Sequence, residues 1–150
     1  MACPYFFPTE KSNDIFWPFP RRLPLGAGFC GLCTANNTRS TPTQAELKEF
    51  CNLGYAKHCE KIPADRGADS VRFSVVHANK PGKNCIRLHY SLEKNHAPVQ
   101  QGVLEYDCET RSWFAEHKNT CIQRQAQCYV EMYLNRVIGS PDSIEVIIKS

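Results

Sequence analysis

The chain has 150 residues, of which 42% are hydrophobic and 11% aromatic, so it can build the core of one domain. Its net charge of +3, with both signs interspersed, argues against a nucleic-acid-binding surface. No segment approaches the roughly 20 apolar residues of a membrane span, and the N-terminus lacks the pattern of a signal peptide. We therefore expect a soluble cytoplasmic protein.

Cysteine is the residue whose count is unusual. Nine cysteines is an odd number, and it lies below the density of disulfide-stapled scaffolds. In a reducing compartment, clustered cysteines more often bind metals or perform redox chemistry. Their distribution is uneven, with Cys3, Cys30, Cys33, Cys51 and Cys59 early in the chain and Cys85, Cys108, Cys121 and Cys128 scattered over the rest.

Residues 1–40 carry no clear helix or strand pattern. Five of the ten prolines lie in the first 24 residues, and each removes a backbone donor and restricts the residue before it. The same stretch is too rich in aromatic and aliphatic residues to remain a disordered tail. We expect an irregular but packed segment, held by a metal centre or by packing against the sheet or a partner.

A first helix is predicted to follow. Thr41 can cap it with Pro42 at the first helical position, or Thr43 can cap it with Glu46 completing a capping box. Apolar residues then recur at helical spacing, and Gly54 suits the left-handed conformation that ends many helices. We therefore expect the helix to stop just before Gly54.

From residue 68 onward the apolar pattern changes to a period of two, which is typical of half-buried strands. Loops rich in turn-forming residues separate the runs, so an antiparallel meander is predicted. The runs are 71–75, 86–92 and 99–106, the loops are 79–84 and 94–98, and 113–115 can extend the sheet.

The last long element is predicted to be a helix. Thr120 with Gln123 forms a second capping-box pattern, and Gly139 and Pro141 supply a stop. A short strand is predicted at 144–148. No phosphate loop, dinucleotide fingerprint, nucleophile elbow or zinc-protease motif is present, which weakens the case for an enzyme.

These elements predict a single α+β domain over residues 1–150. A small antiparallel sheet with a C-terminal helix forms its second part, residues 67–150. An irregular cysteine module with one helix, rich in proline and aromatic residues, forms residues 1–66 and packs against that sheet.

The five early cysteines run C-x26-C-x2-C-x17-C-x7-C, and a metal site would take four of them. Zinc ribbons generally present two short C-x-x-C knuckles, whereas only one is present here, in a glycine-flanked stretch expected to turn. An iron–sulfur cluster accepts four thiolates at wider spacing, and apolar surroundings tune its potential. We therefore favour a [4Fe–4S] cluster over zinc.

The choice of ligands depends on the chain between Cys51 and Cys59. In a continuous helix they would lie about 12 Å apart along the axis, too far to share a small centre. A helix that ends at Gly54 lets the chain fold back. The preferred ligands are Cys3, Cys33, Cys51 and Cys59, because Cys3 could anchor the N-terminus, with Cys30 as the alternative ligand. Buried core thiols are the competing interpretation, and the favoured one for the four later cysteines.

The resulting hypothesis is a small iron–sulfur protein that transfers electrons or bears a cluster in a larger assembly. The alternatives are a zinc-stabilised protein- or nucleic-acid-binding module and a metal-free adaptor. Residues 16–26 combine aromatic rings, prolines and two arginines, a composition typical of protein-docking surfaces. A packed loop with solvated arginines explains that composition equally well.

Overall fold

The computed structural model describes residues 1–35, 39–53, 59–63, 67–80 and 83–138. They form two antiparallel sheets and two helices, which confirms a mixed α+β fold. The elements in chain order are β1 (Phe6–Lys11), a 3₁₀ turn (Pro20–Arg22), β2 (Phe29–Cys33), α1 (Gln44–Glu46) continuing as a π-helical turn (Leu47–Cys51), β3 (Ser70–Lys80), β4 (Lys83–Lys94), β5 (Ala97–Asp107), β6 (Ser112–Trp113) and α2 (Thr120–Ile138).

The larger sheet is the meander that the period-two pattern predicts, in the order β3-β4-β5-β6. Its second hairpin is tighter than the expected loop at 94–98, because only Asn95 and His96 lie between the strands. Both have positive φ, 52° and 68°, as the two central residues of a type I′ turn require. That turn matches the twist of the strands and brings β4 and β5 into register.

Helix α2 covers the apolar face of this sheet. The rings of Phe73 and Tyr129 are 5.8 Å apart, and the indole of Trp113 donates a 2.7 Å hydrogen bond to Gln127. The buried residues between α2 and the sheet include Val71, Phe73, Ile86, Leu88, Leu104, Tyr106, Ile122, Ala126 and Val130.

Among the described residues, no helix is both long enough and apolar enough to cross a membrane.

The start of α2 differs from the predicted capping box. Asn119 is the cap, because its side-chain oxygen accepts from the backbone N–H groups of Cys121 and Ile122 at 2.8 and 3.2 Å. The Gln123 side chain instead accepts from the backbone of His117. The predicted stop at residues 139–141 and the predicted strand at 144–148 lie outside the described residues.

The expectation that residues 1–40 lack regular structure is wrong in part, since β1 and β2 pair in this stretch. Pro8 is tolerated within β1 because the register shifts between Pro8 and Glu10, so the missing donor falls at an irregularity. Arg124 of α2 then binds the carbonyls of Pro8 and Thr9, each at 2.8 Å. A side chain from a distant helix therefore supports a strand that the local sequence disfavours.

Hydrogen bonds anchor the N-terminus. Ala2 and Val71 exchange two backbone hydrogen bonds of 2.9 Å, which join the chain start to β3. The fully buried Gln125 donates 2.7 Å hydrogen bonds to the carbonyls of Cys3 and Phe6. The reason that the sequence offered for choosing Cys3, the need for an anchor, is thus removed. These bonds also cross the predicted boundary between residues 1–66 and 67–150, and that division stays a prediction.

The first helix begins with the Thr43–Glu46 capping box, so the Thr41–Pro42 alternative is wrong. After one turn it widens into a π-helical turn, in which the N–H of Asn52 bonds the carbonyl of Leu47, five residues back. The Asn52 side chain is buried and hydrogen-bonds both the N–H and the carbonyl of Phe29. It thereby attaches the end of the helix to β2. Gly54 lies outside the described residues.

Candidate functional site

Cys3, Cys33, Cys51 and Cys59 line one cavity, named here the four-thiol cavity. They come from separate parts of the chain: the N-terminus, the end of β2, the end of the π-helical turn and the segment after it. This is the set of four that the sequence reasoning preferred. The other lining residues are Tyr5, Phe6, Ala35, Pro42, Glu46, Phe50, Lys61 and Ile62.

Backbone hydrogen bonds hold three of these cysteines in place. The N–H of Cys3 donates to the carbonyl of Cys51 at 3.2 Å, which ties the N-terminus to the helix end. Cys33 exchanges two bonds with Ser40, at 2.8 and 3.0 Å. Their backbones are therefore positioned independently of any ligand in the cavity.

The chain leaves the helix between Cys51 and Cys59. The π-helical turn ends at Cys51, and Cys59 stands outside any helix, with its carbonyl accepting a 3.1 Å bond from Ile62. The separation of about 12 Å that a straight helix would impose does not apply. Both thiols consequently reach the same cavity.

Burial keeps the innermost thiols neutral. Desolvation above all raises the pKa of Cys3 to about 12; the charges of ionised Cys33, Cys59 and Cys121 contribute to this rise, and a backbone hydrogen bond from Tyr5 opposes it. Desolvation also raises the pKa of Cys51, and Cys3, Cys33 and Cys59 add to the effect. A nucleophilic cysteine needs the opposite, a lowered pKa. The arrangement thus fits packed thiols or ligands of a cation that offsets their charge.

This burial predicts a pH dependence for the metal-free protein. A thiol whose pKa is raised on folding, from 9.0 to about 12 for Cys3, stabilises the fold fully below about pH 9 and less as the pH rises toward 12. Urea unfolding of reduced, metal-free protein should show stability falling over this range. Cys3→Ala should show a smaller fall than the wild type. An equal fall in both would contradict the assignment.

A charged pair stands at the cavity. The ammonium of Lys61 lies 2.9 Å from a carboxylate oxygen of Glu46, and this contact raises the pKa of Lys61. Ionised Cys33 and Cys59 would raise it further, so the cation lies near these two thiols. The hydrogen bond from the backbone N–H of Thr43 lowers the pKa of Glu46 most, and the hydrogen bond from Lys61 has the next largest effect. The Lys61–Glu46 pair, which carries no net charge, therefore lines the cavity beside the thiols.

The predicted C-x-x-C turn is wrong. Cys30 and Cys33 both belong to the strand β2, where residues three apart point to opposite faces. Of the two, only Cys33 lines the four-thiol cavity. Cys30 is paired with Glu10 of β1, and its carbonyl accepts from Thr9. Because the two side chains lie on opposite faces of the strand, their sulfurs do not point at one metal centre. The turn that made Cys30 an alternative ligand is therefore not formed.

The cysteine that the sequence reasoning missed is Cys121. It lies in the first turn of α2, 4% exposed, with its sulfur 3.3 Å from the hydroxyl of Thr34. Its charge, when ionised, would raise the pKa of Cys3, so Cys121 lies near that thiol although it does not line the four-thiol cavity. No spacing in the sequence signals this proximity, because the packing of α2 against β1 produces it.

Among the remaining later cysteines, Cys128 is buried, as expected of a core thiol, whereas Cys85 and Cys108 are half-buried. Cys128 is 1% exposed in the core, and burial raises its pKa to about 11. Cys85 and Cys108 lie at neighbouring strand ends. Burial raises the pKa of Cys108, and the negative charges of ionised Cys85 and Asp107 contribute to that rise.

The four thiols are not arranged as a preformed single-ion site. Within the described ranges, no three His, Cys, Asp or Glu side chains are grouped so as to hold a metal ion. The room for a water-sized sphere between them is about 20 Å³, enough for about one water. A multi-iron cluster would therefore enter only if a lining segment moved outward.

Comparison of the chain with protein-family models, curated proteins and solved structures finds no match. The four-thiol cavity is the feature on which a functional proposal rests.

Proposed function

We propose that the four-thiol cavity holds a [4Fe–4S] cluster, and that the protein is a small cytoplasmic iron–sulfur protein that transfers electrons or bears its cluster within a larger assembly. The observation that carries the proposal is the convergence of Cys3, Cys33, Cys51 and Cys59 on one cavity. Four thiolates from separate segments are the ligand set that such clusters take.

The four described thiols are not drawn together as the ligands of a single zinc ion would be. Four sulfurs around a single zinc, each at about 2.3 Å, would stand within about 4 Å of one another. The described side chains contain no such group. A cluster accepts more widely separated thiolates, since each binds a different iron. The apolar walls, including Phe6, Phe50 and Ile62, would shield it from water.

The electrostatics also support a cationic occupant. Cys3 and Cys51 lose hydration on burial, which disfavours their thiolates in the metal-free protein. Bound iron would offset that penalty and release protons. Lys61 adds positive charge beside Cys33 and Cys59, and its partner Glu46 adds negative charge near Cys51, so the pair makes the field across the cavity uneven without adding net charge.

Zinc is the second candidate, and the size of the cavity favours it. A space of about 20 Å³ suits one ion better than a cluster, provided that the thiols close further around it. The chain would then be a zinc-stabilised binding module. A metal-free adaptor is the third possibility, in which the same thiols only pack.

Metal analysis separates these candidates. Protein purified without air from a host with active cluster assembly should be brown, with about four irons and four sulfides per chain. About one zinc per chain without sulfide would replace the proposal by the zinc module. Colourless protein free of both metals would leave the adaptor.

A protein partner is part of the proposal, because an electron carrier or cluster-bearing subunit must dock. The segment 16–26 offers exposed rings: Phe16 is 77% and Phe19 64% exposed, and the guanidinium of Arg22 stacks 5.0 Å from the Phe19 ring centre. Leu25 of the same segment is buried, which fixes the segment to the core. Aromatic rings and arginine are the residues that dominate protein interfaces.

A further inference from the structure

One edge of the larger sheet is open over most of a strand. β6 pairs with β5 only at Tyr106 and Asp107, and the N–H of Phe114 adds one bond to the carbonyl of Glu105. Residues 97–104 of β5 therefore have no strand beside them on this side within the described part of the chain. An edge strand presents a row of unpaired backbone N–H and carbonyl groups, which makes it a template for another strand.

This open edge is exposed, apolar in part and free of charge. Residues 97–104 include no charged side chain, and Pro98 is the one residue among them that usually limits strand addition. Val99 is 53% and Val103 49% exposed, and Phe114, 56% exposed, stands at the end of the open stretch. These three are half of the six large apolar side chains that are exposed among the described residues.

The open edge is complementary to a copy of itself. Two identical strands related by a two-fold axis run antiparallel, and each supplies the donors and acceptors that the other lacks. We propose that a second copy of this chain pairs along residues 98–104, with the axis at Gln101. Val99 of one copy then lies opposite Val103 of the other, and no like charges meet. The two four-stranded sheets join into one sheet of eight strands.

The opposite edge of the sheet does not offer the same pairing. Ala2 already bridges to Val71 there, and the charged residues of β3, Arg72 and Lys80, are both basic. Two copies that met along β3 would bring like charges together, which disfavours their pairing. The contact at β5 therefore closes as a dimer and does not continue into a fibre. This inference is independent of the four-thiol cavity and of any metal in it.

Sedimentation of the full chain at increasing concentration tests the proposal. Reductant in the buffer excludes disulfide-linked dimers. A single strand pair buries less than the roughly 800 Å² per partner of a standard interface, so the dimer should be weak. We expect monomer at about 10 µM and a clear shift of the sedimentation coefficient toward the dimer at about 1 mM.

Two lysine variants show whether the β5 edge forms the contact. Gln101→Lys should raise the dimer dissociation constant at least about fivefold, because it places two lysines opposite each other at the axis. Ser74→Lys is the matched control, since it adds the same charge at an exposed position of β3 and should dimerise like the wild type. Both replaced side chains are exposed, so both variants should fold.

Hydrogen exchange locates the contact independently of any variant. The outward-facing amides of residues 97–104 should exchange more slowly at high protein concentration than at low concentration, whereas those of β3 should not change. A monomer at the highest concentration, equal dimerisation of Gln101→Lys and the wild type, loss of the dimer in both lysine variants, or protection outside β5 alone would each overturn the proposal. Iron analysis of the same samples reports separately on the cluster.

Discussion

Cys51→Ser is expected to lose most of the iron that the wild-type protein binds, whereas Cys30→Ser is expected to keep it. Cys51 lines the four-thiol cavity and Cys30 does not, although both are cysteines of the same N-terminal stretch. Iron in protein purified without air should fall from about four per chain to below about one for Cys51→Ser. Because cluster binding stabilises only the folded state, this variant should also unfold at lower denaturant concentration.

The matched pair makes the result interpretable. Equal loss of iron in both variants would show that the content reflects general damage or that Cys30 also ligates. Full iron content in Cys51→Ser would remove Cys51 from the ligand set. If the wild-type protein binds no metal, Cys51→Ser would show only the moderate destabilisation that a change in one small buried side chain produces.

Asn52→Ala is expected to be strongly destabilising in the metal-free protein. Asn52 is 1% exposed, and its side chain makes three hydrogen bonds, two with the backbone of Phe29 and one with the carbonyl of Leu47. The Leu47 carbonyl keeps the backbone N–H of residue 52, so two partners, the N–H and the carbonyl of Phe29, lose the bond from this side chain. Each costs about 1–3 kcal/mol, so we expect a loss of at least about 2 kcal/mol. For a chain of this size, the melting temperature should fall by roughly 4–8 °C.

Asn13→Ala is the control for this variant, because Asn13 is exposed and its replacement should change stability by less than about 0.5 kcal/mol. Asn52 also joins the strand that ends at Cys33 to the turn that ends at Cys51. Its loss should therefore lower the iron content of freshly purified protein. An unchanged melting temperature would contradict this role for Asn52.

Patterns within one element were predicted well. The alternation of apolar residues located β3, β4 and β5, and the capping box at Thr43 marked the start of the first helix. The first helix ends at Cys51, close to the predicted stop, but Gly54, the residue from which that stop was predicted, lies outside the described residues. For the strands and the helix start, neighbouring residues decide the backbone conformation, so a short window of sequence contains the physical cause.

Features that depend on distant residues were missed. β1 contains a proline, and it pairs in spite of this because Arg124 binds its carbonyls from α2. The cap of α2 is Asn119 rather than Thr120, since several residues near the helix start can serve as caps. Cys121 approaches Cys3 only because α2 packs against β1. No local sequence pattern distinguishes a cysteine that tertiary packing brings close to a binding site from a cysteine that only packs in the core.

The sequence by itself determined the α+β elements and supplied enough early cysteines for one metal centre, because periodicity and residue type act over a few neighbours. The tertiary structure decided which cysteines meet. It gathered Cys3, Cys33, Cys51 and Cys59 around one cavity and left Cys30 on a strand away from it. That selection depends on strand parity, on the break after Cys51 and on long-range hydrogen bonds such as those of Gln125, which join groups far apart in the chain.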